Sequence, residues 1–323
     1  MMRAGKIAAV LATALVAGCS SSSEILLAQG EQQPGALAAQ GGNVYWLEQA
    51  TSSAPAALRT ISAKGGIPTT LAAIAKPRAL ALSPSAAIIG TAIGNVYAAP
   101  LAGGALTVLI PSAGDASLQV AAHGDSAFVA FNSSRIARVT ISAGMNSLME
   151  LDSADNVVTT LAADDLWLYW GTSSGDVFRQ LADGSGTAIK LGTLGTPPMS
   201  ETPIASTVSG GAAYFASTLD VTKIDGTTGA LSTVLSFNSS CPPPRACTFS
   251  IWGLASSSAG LFVGLTHGVA KLDPGTGNTP IIASLNINGT SLAADASGVY
   301  WVAGPQASTG QQALSNAIYG SSL

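Results

Sequence analysis

The sequence predicts an all-β protein, a seven-bladed β-propeller with four antiparallel strands per blade and an N-terminal strand closing the last blade. Three observations predict it. One unit recurs seven times: a small and apolar run, a turn of Gly, Asp, Ser or Asn, then an apolar and often aromatic run. Successive copies begin about 38–49 residues apart, the spacing of propeller blades. The two ends also complement each other, because the last unit stops one strand short while residues 24–29 form an apolar strand with no blade of its own.

The elements follow in order. Units occupy residues 36–46, 79–89, 118–128, 158–170, 204–215, 253–262 and 291–301, each supplying a first and a second strand. Third strands ending in a Gly turn lie at 58–66, 96–104, 136–144, 177–184, 221–226 and 269–275. Gly and Asp-Gly there supply the positive φ that tight hairpins demand. Fourth strands follow at 69–74, 106–110, 147–151, 187–191, 231–237 and 279–285. In the seventh unit the first strand lies near Ser291, the second at 299–303 and the third around 317–319. Residues 24–29 supply the missing outer strand, which protects an otherwise open edge.

Composition bounds the function. Of 323 residues, 47% are hydrophobic, enough for a sizeable core, which rules out wholesale disorder. Only 9% are charged and the net charge is −4, so no basic block exists to neutralise phosphates and nucleic-acid binding is excluded.

The N-terminus divides the chain into three parts. Residues 1–18 read as a lipoprotein signal peptide: Arg3 and Lys6 form a positive region, and residues 7–14 an apolar stretch too short to span a bilayer. Leu15-Val16-Ala17-Gly18-Cys19 resembles a bacterial lipobox. That resemblance implies cleavage before Cys19 and diacylation of its thiol, and hence a lipid anchor on a membrane. Ser20 after the Cys implies the outer membrane, by resemblance to enterobacterial sorting. Residues 19–23 are then the lipidated Cys and a polar tether, and 24–323 a single propeller domain. The remaining cysteines, Cys241 and Cys247, form an even pair in an exported chain and are expected to be disulfide-bonded. So short a loop places the gain at the low end of ~2–4 kcal/mol.

The signature is best kept at Asn43-Val44-Tyr45-Trp46 and Gly298-Val299-Tyr300-Trp301. On those residues the chain resembles the exported, repeat-type seven-bladed propellers of bacterial surfaces and periplasms, over residues 24–320. The resemblance implies an architecture and no activity.

Propeller topology sorts the remaining candidates by face. First-to-second turns share one face with third-to-fourth turns; second-to-third turns and the links between blades share the other. The two histidines, His123 and His267, fall on opposite faces, which removes a shared metal or proton relay. No metal site, no cofactor and no catalytic set is expected. Second-strand aromatics (Tyr45, Trp46, Phe128, Tyr169, Trp170, Tyr214, Phe215, Phe262, Tyr300, Trp301) are expected between blades, since stacking on sugars needs exposure at a loop face. Arg59, Arg138, Arg179, Lys223 and Lys271 recur on third strands and are expected to form a solvated outward row. Loops at 49–56, 195–203, 238–250 and 304–312 lie on the linker face, and Glu201, Arg245, Trp252 and His267 are its candidate binding residues. The expected function is a lipid-anchored envelope module that binds or scaffolds a protein or glycan. The rival is a propeller enzyme, a polysaccharide lyase or glycoside-acting hydrolase, which requires two carboxylates about 5–9 Å apart on that face.

Overall fold

The computed structural model describes residues 24–31, 33–52, 54–112, 114–151, 156–195, 201–237, 250–266, 268–284, 289–303 and 317–323. Residues 1–23, with Cys19, and Cys241, Arg245, Cys247 and His267 lie outside them. The described residues form seven four-stranded antiparallel sheets. Strand β1 (Glu24–Ala28) comes first. Blade I then comprises β2 (Pro34–Gln40), β3 (Asn43–Glu48), β4 (Ala57–Ser62) and β5 (Thr69–Ala73). Blade II comprises β6 (Pro77–Leu82), β7 (Ala86–Thr91), β8 (Val96–Pro100) and β9 (Thr107–Ile110). Blade III comprises β10 (Ser117–His123), β11 (Ser126–Phe131), β12 (Ile136–Thr140) and β13 (Met149–Glu150). Blade IV comprises β14 (Val158–Ala163), β15 (Trp167–Thr172), β16 (Asp176–Leu181) and β17 (Ile189–Thr193). Blade V comprises β18 (Ala205–Ser209), β19 (Ala212–Ala216), β20 (Asp220–Asp225) and β21 (Leu231–Ser236). Blade VI comprises β22 (Ile251–Ser257), β23 (Gly260–Leu265), β24 (Gly268–Leu272) and β25 (Ile281–Ser284). Blade VII comprises β26 (Gly289–Ala294), β27 (Gly298–Ala303), β28 (Ala317–Ser322) and, outermost, β1.

Each blade's first strand packs against those of its neighbours, and β2 meets β26, so the ring is closed. Seven strands converging on one axis leave little room, which is why the first strands are rich in Ala and Ser. Second strands are sandwiched between blades and buried on both sides, hence their continuous apolar runs. Alternate side chains along a strand face opposite seams. Trp46, Trp170 and Trp301 point to the preceding blade, and their neighbours Tyr45, Tyr169 and Tyr300 to the following one. All six are buried, as the sequence predicts. Each Trp stands opposite a flat group on the third strand: Arg59, Phe178 and Tyr319 respectively. Phe178 and Tyr319 stack on their indoles at 5.6 and 6.1 Å between centroids.

The core is therefore seven apolar clusters, one per seam. Gly41-Gly42 and Gly210-Gly211 make two-residue hairpin turns in which both residues have positive φ, the conformation that matches strand twist.

The closing strand behaves as the sequence predicts. β1 pairs antiparallel with β28, Ile25 opposite Gly320 and Leu26 opposite Tyr319. Leu27 and Ala28 are buried with Trp46 and Tyr300 in the seam between blades VII and I. Polar contacts finish it: Ser291 Oγ accepts from the Leu37 N–H (3.0 Å), and Asp295 Oδ2 accepts from the Gly42 N–H (2.8 Å). Asp295 Oδ1 accepts from the Ser297 and Gly298 N–H groups and the Tyr300 hydroxyl. Burial and the adjacent Asp295 carboxylate raise the Tyr300 phenol.

The third-strand cations correct one expectation. Arg59 and Arg179 are turned into seams rather than solvated; Arg179 is only 8% exposed. Arg138 is half-buried on the Ser126 hydroxyl. Lys271 is exposed, as expected.

Candidate functional site

A cavity of about 810 Å³ opens on the face of the first-to-second turns, across blades III to V with an edge on blade II. Ala81, Ala121, Ala162 and Val208 give it an apolar lining; His123, Asp165, Thr207 and Ser209 give it a polar one. Trp167 adds an indole to the wall.

Local sequence sets this geometry. In the turn between β14 and β15, Asp164 Oδ1 accepts from the N–H groups of Leu166 (2.9 Å) and Trp167 (2.7 Å). Such side-chain-to-backbone bonds are what make Asp a turn former. They fix where β15 starts and leave Trp167 half-buried at the rim. Arg179, opposite Tyr169 on β16, lies over the Trp167 ring at 4.0 Å. Its Nη1 donates to the Gly226 carbonyl of blade V at 2.9 Å. A largely desolvated cation on an indole is worth about 1–2 kcal/mol. Arg179 thus backs Trp167 and ties blade IV to blade V. Burial, with Asp164 nearby, pushes the Tyr169 phenol beneath them up to about 12.

The rim is stitched across other seams. His123 Nε2 lies 2.7 Å from Asp165 Oδ1, joining blades III and IV. Thr207 and Ser256 hydroxyls, 2.6 Å apart, join blades V and VI. The charge around the mouth is mostly negative. Asp164 and Asp165 lie in its wall, and Asp225 precedes its lining residues Gly226 and Thr227. The N–H and hydroxyl of Thr228 hold the Asp225 carboxyl below its ordinary range. An indole, hydroxyls and carboxylate acceptors around an apolar floor suit a neutral, polyhydroxylated ligand and repel an anionic one.

The linker face is built differently. A second cavity of about 550 Å³ lies at the opposite mouth, lined by residues including Gly35, Arg78, Gln119 and Thr290. Glu201 and Trp252 line neither cavity. The Glu201 carboxylate accepts from the Ser217 hydroxyl. Trp252 is a wedge in the seam between blades VI and VII: a Cβ on Gly264 or Gly289 would lie 2.6 or 2.3 Å from its ring. Its Nε1 donates to the Leu265 carbonyl at 2.7 Å.

Glu31 and Glu48 form a carboxylate pair on one cation, both reaching Arg59 Nη1, at 3.1 and 3.3 Å. Both side chains are almost wholly buried, however, and neither lines the two cavities. Burial first, then a hydrogen bond with Glu48, push the Glu31 carboxyl up to about 7. Among the described residues no three His, Cys, Asp or Glu side chains form a metal-binding group.

Trp167 and Arg179 are the site residues that sequence reasoning missed. The signal was present: the fourth copy carries an extra Trp beside its turn, in Asp164-Asp165-Leu166-Trp167, a position the other copies leave without an aromatic.

No protein-family model and no curated protein matches the chain. Solved structures do. The chain is similar to the extracellular domain of the putative one component system BT4673 from B. thetaiotaomicron. The identity is 12% and the TM-score 0.64, over 92% of this chain and 39% of that one. It is similar to PorZ, an essential bacterial surface component of the type-IX secretion system of Porphyromonas gingivalis, at 14% identity and a TM-score of 0.59. That match covers 86% of this chain and 36% of the other. It is also similar to U3-55K, at 11% identity and a TM-score of 0.71, over 95% of this chain and all of that one. What is shared is the fold. This chain spans less than half the length of the two bacterial structures.

Proposed function

We propose that the protein is an extracytoplasmic binding module of the bacterial envelope that takes a short neutral glycan in the cavity across blades III to V. The observation that carries this reading is Trp167, an indole at the rim of an 810 Å³ cavity, held from behind by Arg179. Rigid aromatic anchors surrounded by polar groups are the usual centres of recognition. The lipobox-like segment ending at Cys19 supports a lipid anchor on the outer membrane. We propose as well, from their even number in an exported chain, that Cys241 and Cys247 pair as a disulfide.

Binding of neutral oligosaccharides, screened on an array and then measured by calorimetry, tests the reading. Trp167→Ala should weaken binding about 30-fold, the equivalent of roughly 2 kcal/mol at a hot spot. An Arg78→Ala variant at the opposite mouth should bind as wild type. The reverse pattern moves the site to the linker face. Replacing Cys19 by Ala should release the protein from the membrane fraction, and a protein that stays membrane-bound contradicts the anchor.

A further inference from the structure

We infer that the corner of the ring at the seam between blades VII and I rests on a lipid surface; the inference depends on the lipid anchor at Cys19 proposed above. β1 is the outermost strand of blade VII, and its start lies on the face that carries the large cavity. The neighbours of Ile25 establish this. With it, Gly42 and Ser297 of two first-to-second turns, and Ala63 and Lys64 of the third-to-fourth turn of blade I, line a small cavity of about 260 Å³. Cys19 is five residues before Glu24. At ~3.5 Å per residue, that segment reaches no more than ~18 Å. A lipid on Cys19 therefore keeps this corner close to the membrane surface.

The corner is apolar where it needs to be. Ile67, in the third-to-fourth turn of blade I, is 89% exposed, the most exposed of the large apolar side chains described. It follows Gly65 and Gly66, both with positive φ, which turn the chain outward there. Ile25 and Leu26 on β1 are 38% and 41% exposed. The local charges, Lys64 and Glu24, are both exposed and offset each other, so apolar contact rather than attraction to anionic lipid drives the docking. Docking this corner turns the face bearing the large cavity towards the membrane, so its ligand would be met at the membrane surface.

Hydrogen exchange read by mass spectrometry tests the inference. The full lipidated protein is bound to vesicles of phosphatidylcholine alone, or with added phosphatidylglycerol, and compared with the Cys19→Ser protein beside the same vesicles. Amides at 64–70 should exchange at least five-fold more slowly in the lipidated protein on both vesicle types. Those at 183–187, in the third-to-fourth turn of blade IV, should not change. Equal exchange at 64–70 in a vesicle-bound protein whose N-terminal peptide carries the lipid mass overturns the inference and leaves the anchor standing. Protection at 183–187 instead, or only with phosphatidylglycerol, also overturns it. An N-terminal peptide without lipid overturns the anchor and the inference with it, and the mass alone separates the two failures.

Discussion

Glu31 and Glu48 share the Arg59 guanidinium in a buried pocket, and this burial sets the proton affinity of Glu31. Its carboxyl rises from near 4.5 to about 7, so the fold disfavours the charged form. The stabilisation is complete below pH 4.5 and is lost as the pH rises through 7. Melting temperature should therefore fall between pH 5 and pH 8, and Glu31→Gln should flatten that fall by about 2 °C or more in scans at both pH values. Arg59→Leu leaves two buried carboxylates without their cation and should cost about 3 kcal/mol or more in denaturant unfolding. None of this was legible in the sequence. Arg59, Arg138, Arg179, Lys223 and Lys271 look alike as a recurring third-strand cation. Yet Arg59 stands opposite a Trp that faces the preceding seam, and Arg179 opposite a Tyr that faces the following one. Whether such a cation meets water depends on what the neighbouring blade presents, and a single strand's pattern does not contain that. Trp167 was overlooked for the same reason, because an extra aromatic beside a turn becomes a site only when its neighbours leave a cavity there.

Strands, by contrast, were legible almost to their ends, because each carries its own pattern of apolar residues and turn glycines. The exception is informative. Residues 147–151 read as a fourth strand, but only Met149–Glu150 pairs. Ser147 instead ends a short 3₁₀ turn, where its hydroxyl accepts from the Thr140 N–H and has the Gly144 and Thr140 carbonyls as alternative acceptors for its one proton, at 2.9 and 3.1 Å. Serine's local bonding competes with the ladder. Bulges are a second feature the sequence did not announce: the pairing of the first two strands slips register at the start of the first strand in blades I, II, III, IV, VI and VII. Bulges add twist, which propeller blades need. In blade VI the tight fit of Trp252 against Gly264 makes a specific expectation. Gly264→Ala forces the ring against its hydrogen bond to Leu265 and should cost about 1–3 kcal/mol, whereas Gly35→Ala, whose new Cβ would meet nothing nearer than 3.7 Å, should cost less. Unfolding midpoints of the two variants check it.

At the scale of the whole molecule, closure was the most legible feature, because a seventh blade one strand short and a leading strand without a blade have one economical solution. Removing residues 24–28 would expose β28 as an edge and empty the place of Leu27 in the seam. A buried Leu and a row of ladder bonds are worth about 3 kcal/mol or more, so the truncated protein should unfold at lower denaturant and less cooperatively. What the sequence did not reveal is which mouth of the ring holds a site. The linker face has the longer loops in the sequence, yet the larger cavity described lies on the face of short turns, across blades III to V. The most direct test is a crystal structure of the protein with the tightest-binding neutral oligosaccharide from the array. The account predicts a sugar ring in van der Waals contact with the Trp167 indole, its hydroxyls on the Asp165 or Thr207 side chains. Sugar density at the opposite mouth beside Arg78, with the Trp167 cavity empty, would contradict it.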